Sequence, residues 1–407
     1  MMALTTLPNG LRVASREMGG VETVAVGLYA ATGTRHEADA LNGLAHLFEH
    51  MLFKGAGSRS AREINEAVED VGGDLNASTD RETTAFYLSL LAPDLPFGVA
   101  LLGDLVRRPH LADLDLAREK KVIGQELAEA RDNPGDLVWD LAYQTAFPGQ
   151  AVGRPVLGDE ASLGGIATDD LRAWLGTRYR PGSLLLVASG KVSHDHLVTL
   201  AEQTFGDMAP GAADPAPVAS VGGGRTVHTR RAAQSHIALT WPAPAALAPG
   251  AAAARLFGDV VGGGTSSRLF HRIREELGLA YSVSAGVDAL SDAGLLWVYT
   301  ATDSGETGRA VAEVEAALRD AADTLTEREL ARAKALAKAG LLMSLESCWG
   351  QASFLARQIA LRGRLVEPAE VVAELDAVTV DEARAAGRAM LSGPRTLACV
   401  GKLPRAA

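Results

Sequence analysis

Cysteine is scarce in this sequence of 407 residues, which contains only Cys348 and Cys399. Two cysteines are too few for a disulfide framework or a cysteine-rich metal site. Such sparse use is typical of proteins in a reducing compartment, so we expect a cytoplasmic protein.

Long apolar runs are also missing. No stretch approaches the roughly 18 apolar residues that a membrane-spanning helix needs. The N-terminal segment MMALTTLPNGLRVASREMGG lacks the unbroken apolar region of a signal peptide. The sequence therefore predicts neither export nor membrane anchoring.

Positive charge is in deficit, with 39 Lys and Arg against 50 Asp and Glu, for a net charge of -11. This balance disfavours nucleic acid or an anionic membrane as the main partner and favours cationic ligands, for example basic peptides. The composition, 47% hydrophobic and 22% charged, is that of a globular and not a disordered chain. Its length leaves room for two or three domains.

The chain divides near its midpoint into two similar halves. Residues 209–224 are rich in Pro, Gly and Ala and have no periodicity, as expected of a linker. The halves share a strand at 24–31 and 236–241, an alternating stretch at 76–91 and 284–302, a long helical stretch at 120–146 and 332–361, and an apolar strand ending in Gly-Lys after Ser183 and Thr396. We therefore predict an α+β fold of two duplicated domains, 1–208 and 225–407, each a mostly antiparallel sheet packed with helices on one side.

The segment HLFEH in the first half indicates a metal site. Asn42 is placed to begin its helix and Gly55 to end it. At about 100° per residue, His46, Glu49 and His50 share one face and the apolar residues share the other. Neutral imidazoles at i and i+4 can bind one Zn²⁺, and a carboxylate beside them can accept a proton from an activated water. The pattern predicts metal-assisted hydrolysis.

A third protein ligand is expected from the acidic helix that begins near Asp115. Glu119, Glu126 and Glu129 lie close to one face of it, and spacing alone does not choose among them. The alternative interpretation is structural: two partly buried histidines, a surface glutamate and a solvated acidic helix face.

These motifs resemble those of the pitrilysin family of inverted-zincin metallopeptidases. The segment HLFEHMLFKG of this sequence is a close match to the family's HxxEH signature. The resemblance implies that His46, His50 and Glu126 bind zinc, that Glu49 is the catalytic base, and that Glu119 assists without binding the metal. In GGGTSSRLFHRIREELGLAYSVSAG, it implies that Arg274 and Tyr281 contact the substrate near the scissile carbonyl. In GGDLNASTDRETTAFY, it implies an edge strand that binds extended peptides at Asn76 and Ala77.

The resemblance covers nearly the whole chain. The length of the chain is similar to that of half-length family members such as the subunits of mitochondrial processing peptidase. ARLFGDVVGGG, the second-half counterpart of the metal helix, has no His or Glu ligand. We therefore expect one zinc site per chain and a homodimer in which a clam-like enclosure holds the substrate. The predicted function is a zinc-dependent endopeptidase. The alternative is a non-catalytic or obligately heterodimeric subunit that acts as a chaperone or assembly partner.

Overall fold

A computed structural model of the chain describes residues 1–403. The strands are β1 (Met2–Thr6), β2 (Arg12–Glu17), β3 (Thr23–Ala30), β4 (Gly55–Ala56), β5 (Arg59–Ser60), β6 (Asp74–Thr79), β7 (Thr84–Leu91), β8 (Leu184–Gly190), β9 (Gly224–Thr229), β10 (Gln234–Ala243), β11 (Ala280–Ala289), β12 (Gly294–Asp303) and β13 (Thr396–Gly401).

The helices are α1 (Leu44–Leu52), α2 (Ala61–Asp70), α3 (Leu95–Arg107), α4 (Asp113–Asp132), α5 (Pro134–Ala146), α6 (Glu160–Gly165), α7 (Thr168–Arg178), α8 (His194–Phe205), α9 (Ala251–Gly262), α10 (Thr307–Thr324), α11 (Glu327–Ser344), α12 (Cys348–Arg362), α13 (Pro368–Ala377) and α14 (Val380–Leu391). None of the helices in the described part of the chain combines the length and the apolar character that a bilayer crossing requires.

The predicted long helical stretches are each two helices. Asn133 separates α4 from α5: its side-chain oxygen accepts the N–H of Gly135 at 2.9 Å, and Pro134, at the first position of α5, has no N–H to donate. Ser347 caps α12 in the same way and separates it from α11. The prediction of single long stretches followed the helical periodicity and did not use the Asn133-Pro134 pair or Ser347, which are helix-start signals.

The chain forms two compact units, each with its own sheet. Unit 1 comprises residues 1–127, 154–217 and 343–366, and unit 2 comprises residues 128–153, 218–342 and 367 onwards. The sheet of unit 1 has the order β1-β2-β8-β3-β7-β6, and that of unit 2 has the order β11-β12-β10-β13-β9. Read in reverse, the second sheet is β9-β13-β10-β12-β11, and these strands correspond in order to β2-β8-β3-β7-β6 of the first sheet. Each sheet has one parallel pair, β2 with β8 in the first and β9 with β13 in the second. The predicted duplication is therefore visible in the strand order.

Equivalent details recur in both units. The strands β8 and β13 end at Gly190 and Gly401, with φ of 127° and 136°, which only glycine adopts without strain. On the helices, Lys120 donates to the carbonyls of Gly164 and Ile166, and Lys334 donates to those of Asp376 and Val378.

Each sheet packs one face against most of its unit's helices and the other face against a single helix taken from the other half of the sequence. In unit 1, α12 covers Ala14, Ala25, Leu185 and Val187 with Leu355 and Ile359. In unit 2, α5 contributes Val138 and Ala142 to a cluster with Ala238, Ala398 and Val400. Each compact unit therefore contains a helix from the other half of the sequence, α12 in unit 1 and α5 in unit 2.

Candidate metal centre

Helix α1 begins through a buried carboxylate and not through Asn42, as the sequence had suggested. Gly43 is the N-cap residue, with φ 92°, and it has no side chain that could cap the helix. Glu37 accepts the N–H groups of Gly43 at 3.0 Å and Ala45 at 2.8 Å, together with the side-chain amide of Asn42 at 3.0 Å. The prediction for Asn42 is wrong because Glu37 occupies the position where a cap side chain would lie. A negative charge there also suits the helix dipole.

The other end of α1 differs from the prediction as well. Phe53, in a right-handed conformation, is the C-cap residue, and Gly55 lies in β4 with φ 142°. A Cβ at Gly55 would lie 2.3 Å from the His110 ring, so this glycine permits close packing and does not cap the helix. β4 pairs with β5 directly after Lys54 and so fixes the chain that leaves α1.

The two histidines of α1 lie side by side on its half-buried face. The ring centroids of His46 and His50 are 4.6 Å apart. Glu126, on α4, approaches both: its carboxylate oxygens lie 4.0 Å from His46 Nε2 and 3.9 Å from His50 Nε2. Ligand atoms of the three residues all lie within 4.8 Å of one another. The three side chains thus converge without direct hydrogen bonds between the converging atoms.

This donor set fits zinc. Burial, with the neighbouring His50, lowers the pKa of His46 to about 4, so its imidazole is neutral and has a free lone pair at pH 7. Two imidazole nitrogens and a carboxylate oxygen are one of the ligand sets of catalytic zinc, which leaves a further coordination position for water or substrate. The structure therefore brings together the three residues named as ligands, while Glu129 is exposed.

Glu49 lies between the two histidines in sequence and is held separately from them. Thr79, the last residue of β6, donates its hydroxyl to the Glu49 carboxylate at 2.5 Å. Burial raises the pKa of Glu49, and the hydrogen bond from Thr79 opposes this rise. The contact of Thr79 with Glu49 was not predicted from the sequence, although Thr79 lies three residues beyond Asn76 in the same edge strand.

Glu119 contacts the second ring nitrogen of His50, on the opposite side of the ring from the nitrogen that Glu126 approaches. Its buried carboxylate lies 3.2 Å from His50 Nδ1 and 2.9 Å from Lys54 Nζ. A carboxylate on the second ring nitrogen of a metal-binding histidine is a common arrangement that fixes the ring and its tautomer. Lys54 was also missed, although it follows His50 by four residues in the same motif.

Asn76 and Ala77 lie on β6, which is an outer strand of the unit 1 sheet. Ala77 packs against the core, and Asn76 is exposed, with its side-chain oxygen accepting the Ala77 N–H at 2.8 Å. The same strand ends at Thr79 and so connects this edge to Glu49.

Arg274 and Tyr281 belong to unit 2 and contact each other. Arg274 lies in a π-helical segment, Phe270–Glu276, with its guanidinium 4.7 Å from the centre of the Phe270 ring and 4.6 Å from that of Tyr281. Tyr281, at the start of β11, is 77% exposed. The two rings hold the guanidinium between them. Its Nε also lies 3.5 Å from a carboxylate oxygen of Glu275.

Comparison with known proteins assigns the chain to a family. The sequence profile described as Insulinase (Peptidase family M16) matches residues 12–160, and that described as Peptidase M16 inactive domain matches residues 165–336. The chain belongs to peptidase family M16. The pitrilysin-family resemblance is thereby confirmed, and the metal centre lies within the first of the two matched regions.

Relatives in this family extend over the whole chain. An uncharacterized zinc protease of Streptomyces coelicolor is 33% identical, over 98% of this chain and 89% of its own. An uncharacterized zinc protease of Mycobacterium tuberculosis is 35% identical, over 95% of this chain and 90% of its own. The uncharacterized zinc protease YmxG of Bacillus subtilis is 30% identical, over 99% of this chain and 100% of its own. These M16 relatives share the half-length form.

Solved structures show the same fold. A protease from Helicobacter pylori has a TM-score of 0.90 at 19% identity, and the matched region covers 98% of this chain and 99% of that one. A protein from Pseudomonas fluorescens, described as a peptidase M16 inactive domain, has a TM-score of 0.92 at 20% identity. The matched region covers 99% of this chain and 98% of that one. The predicted α+β architecture is confirmed.

Proposed function

We propose that the protein is a zinc-dependent endopeptidase that cuts extended peptides or unfolded segments. The observation that carries this proposal is the convergence of His46, His50 and Glu126 beside Glu49. Relatives named zinc proteases support the choice of metal and of reaction. Zinc held there supplies Lewis acidity to a peptide carbonyl and makes water more acidic.

The chain's own residues divide the remaining work. Glu49 accepts the proton of the attacking water on its carboxylate and then donates it to the leaving amine nitrogen. Thr79 holds one Glu49 oxygen, which leaves the other to face the reaction. Peptide is bound as an added strand along the outer edge of β6, beside Asn76 and Ala77, because such pairing uses backbone groups and needs no particular side chain.

The test of the function compares the wild type with Glu49→Gln. Both should contain zinc, because Glu49 is not a ligand, but cleavage of a quenched peptide library should fall by about 100-fold to 10,000-fold in the variant, the usual contribution of a general base. Equal cleavage by both would contradict the role of Glu49. Zinc without cleavage in the wild type would favour the alternative of a non-catalytic or heterodimeric subunit.

We further propose that the active form is a homodimer. In this proposal, Arg274 and Tyr281 of one copy bind substrate at the zinc of the other, where guanidinium and phenol can both donate to a carbonyl oxygen. Each copy then supplies one metal centre and one substrate-contacting pair.

Mixing two inactive variants tests this arrangement. Glu49→Gln and Arg274→Ala chains should regain activity when their subunits exchange, because one hybrid site then carries both an intact base and an intact arginine. Exchanged mixtures with no more activity than either variant alone would exclude the sharing of sites.

A further inference from the structure

Glu119 uses its two oxygens for two different partners. Oε2 lies 3.2 Å from His50 Nδ1, and Oε1 lies 2.9 Å from Lys54 Nζ. The residue is only 5% exposed, whereas the Lys54 side chain is 32% exposed. A buried carboxylate is costly unless it is paired, and here the pairing involves one cation and one ring N–H.

Lys54 itself is fixed in place by the chain on both sides. The backbone N–H of Lys54 donates to the carbonyl of Met51 as α1 ends, and Gly55, the next residue, pairs with Ser60 in the β4–β5 ladder. The lysine side chain therefore leaves an anchored backbone position and reaches Glu119 on α4.

The two histidines differ in what supports them. His50 has the Glu119 carboxylate on Nδ1, whereas Nδ1 of His46 is buried without a hydrogen-bond partner. The Nδ1 partner of His50, Glu119, is in turn in contact with Lys54.

We propose that Lys54 is a positioning residue of the metal centre: it holds the Glu119 carboxylate against His50 Nδ1 and thereby fixes the His50 ring for metal binding. The proposal rests on the proposed zinc site. Its consequence is that metal affinity depends on a lysine that is not one of the three proposed ligands.

The experiment measures the zinc dissociation constant of the full-length chain by competition with a fluorescent chelator. Lys54→Met should weaken zinc binding by up to about 10-fold to 100-fold, the range expected if the Glu119 contact to the ligand His50 is lost with it. Lys54→Arg, which keeps the charge, should recover most of the affinity. Lys121→Met, at an exposed lysine on α4, is the matched control and should bind zinc as the wild type does.

Thermal unfolding of the metal-free proteins separates positioning from a general loss of stability. Equal zinc affinity in Lys54→Met and the wild type would overturn the proposal, whatever the unfolding temperatures are. If Lys54→Met does not fold, Lys54→Gln takes its place under the same criterion. A wild-type chain that binds no zinc would instead overturn the zinc site itself.

Discussion

At the scale of single residues, Glu49 is held by a hydroxyl from the strand that is proposed to bind substrate. The Thr79 hydroxyl can hold the carboxylate in one orientation, and its loss would leave the side chain free to rotate. A hydrogen bond to a charged group contributes roughly 1.5–3 kcal/mol.

Thr79→Val should therefore lower turnover of a quenched peptide by about 10-fold to 100-fold, since that free energy converts to this range of rate. Thr79→Ser keeps the hydroxyl and is the matched control, with turnover near that of the wild type. Zinc content should be the same in all three proteins. Wild-type turnover in Thr79→Val would show that the hydrogen bond does not orient the base.

The residues that could be predicted from the sequence are those that share a motif or a helix face. His46, His50 and Glu49 follow from the period of one helix, but Glu126 required the family resemblance because it lies on a different element. Thr79 and Lys54 escaped prediction because their roles depend on how separate elements pack, which no local period records.

At the scale of elements, the position of α1 depends on the buried Glu37 at its N-terminus. Burial raises the pKa of Glu37 to about 7 from an ordinary value of 4.5, and the hydrogen bonds from Ala45, Asn42 and Gly43 oppose this rise. Between these two pH values the folded chain binds more protons than the unfolded chain. The Glu37 contribution therefore makes the folded state less stable as pH rises through this window.

The metal-free wild type should lose up to about 3 kcal/mol of unfolding free energy, relative to Glu37→Gln, between pH 4.5 and pH 8, because one pKa unit corresponds to about 1.4 kcal/mol. Urea unfolding at several pH values measures this difference. The comparison cancels the titration of groups common to both proteins. Parallel pH profiles for the two proteins would contradict the assignment.

The order of strands and helices was largely predictable, but their ends were not. Apolar strands such as β8 and β13 are evident as short buried runs. The start of α1 was assigned to Asn42 because a local cap is the commonest arrangement, whereas Glu37, which lies outside the helix in sequence, provides it instead.

At the scale of the whole molecule, neither half of the sequence contains a complete unit. Unit 1 needs α12 from the second half to cover Ala14, Ala25, Leu185 and Val187 on the outer face of its sheet. The linker predicted at 209–224 rests on composition, and composition carries no information about which helices pack against which sheet.

A fragment of residues 1–217 should therefore not unfold cooperatively by itself, because one face of its sheet lacks its apolar cover. Co-expression with residues 218–407 should restore a cooperative transition. Thermal unfolding followed by circular dichroism distinguishes these cases. A fragment 1–217 that unfolds at the midpoint of the full chain would show that α12 is dispensable for unit 1.

The central proposal is that one zinc per chain, held by His46, His50 and Glu126, gives the protein its peptidase activity. Titration of the metal-free, full-length chain with zinc, while cleavage of a quenched peptide is followed, tests it most directly. Activity should be absent without metal, rise with added zinc and level off at one zinc per chain, and His46→Ala should show no such rise. Cleavage that persists in the metal-free chain, or that rises equally in His46→Ala, would contradict the account.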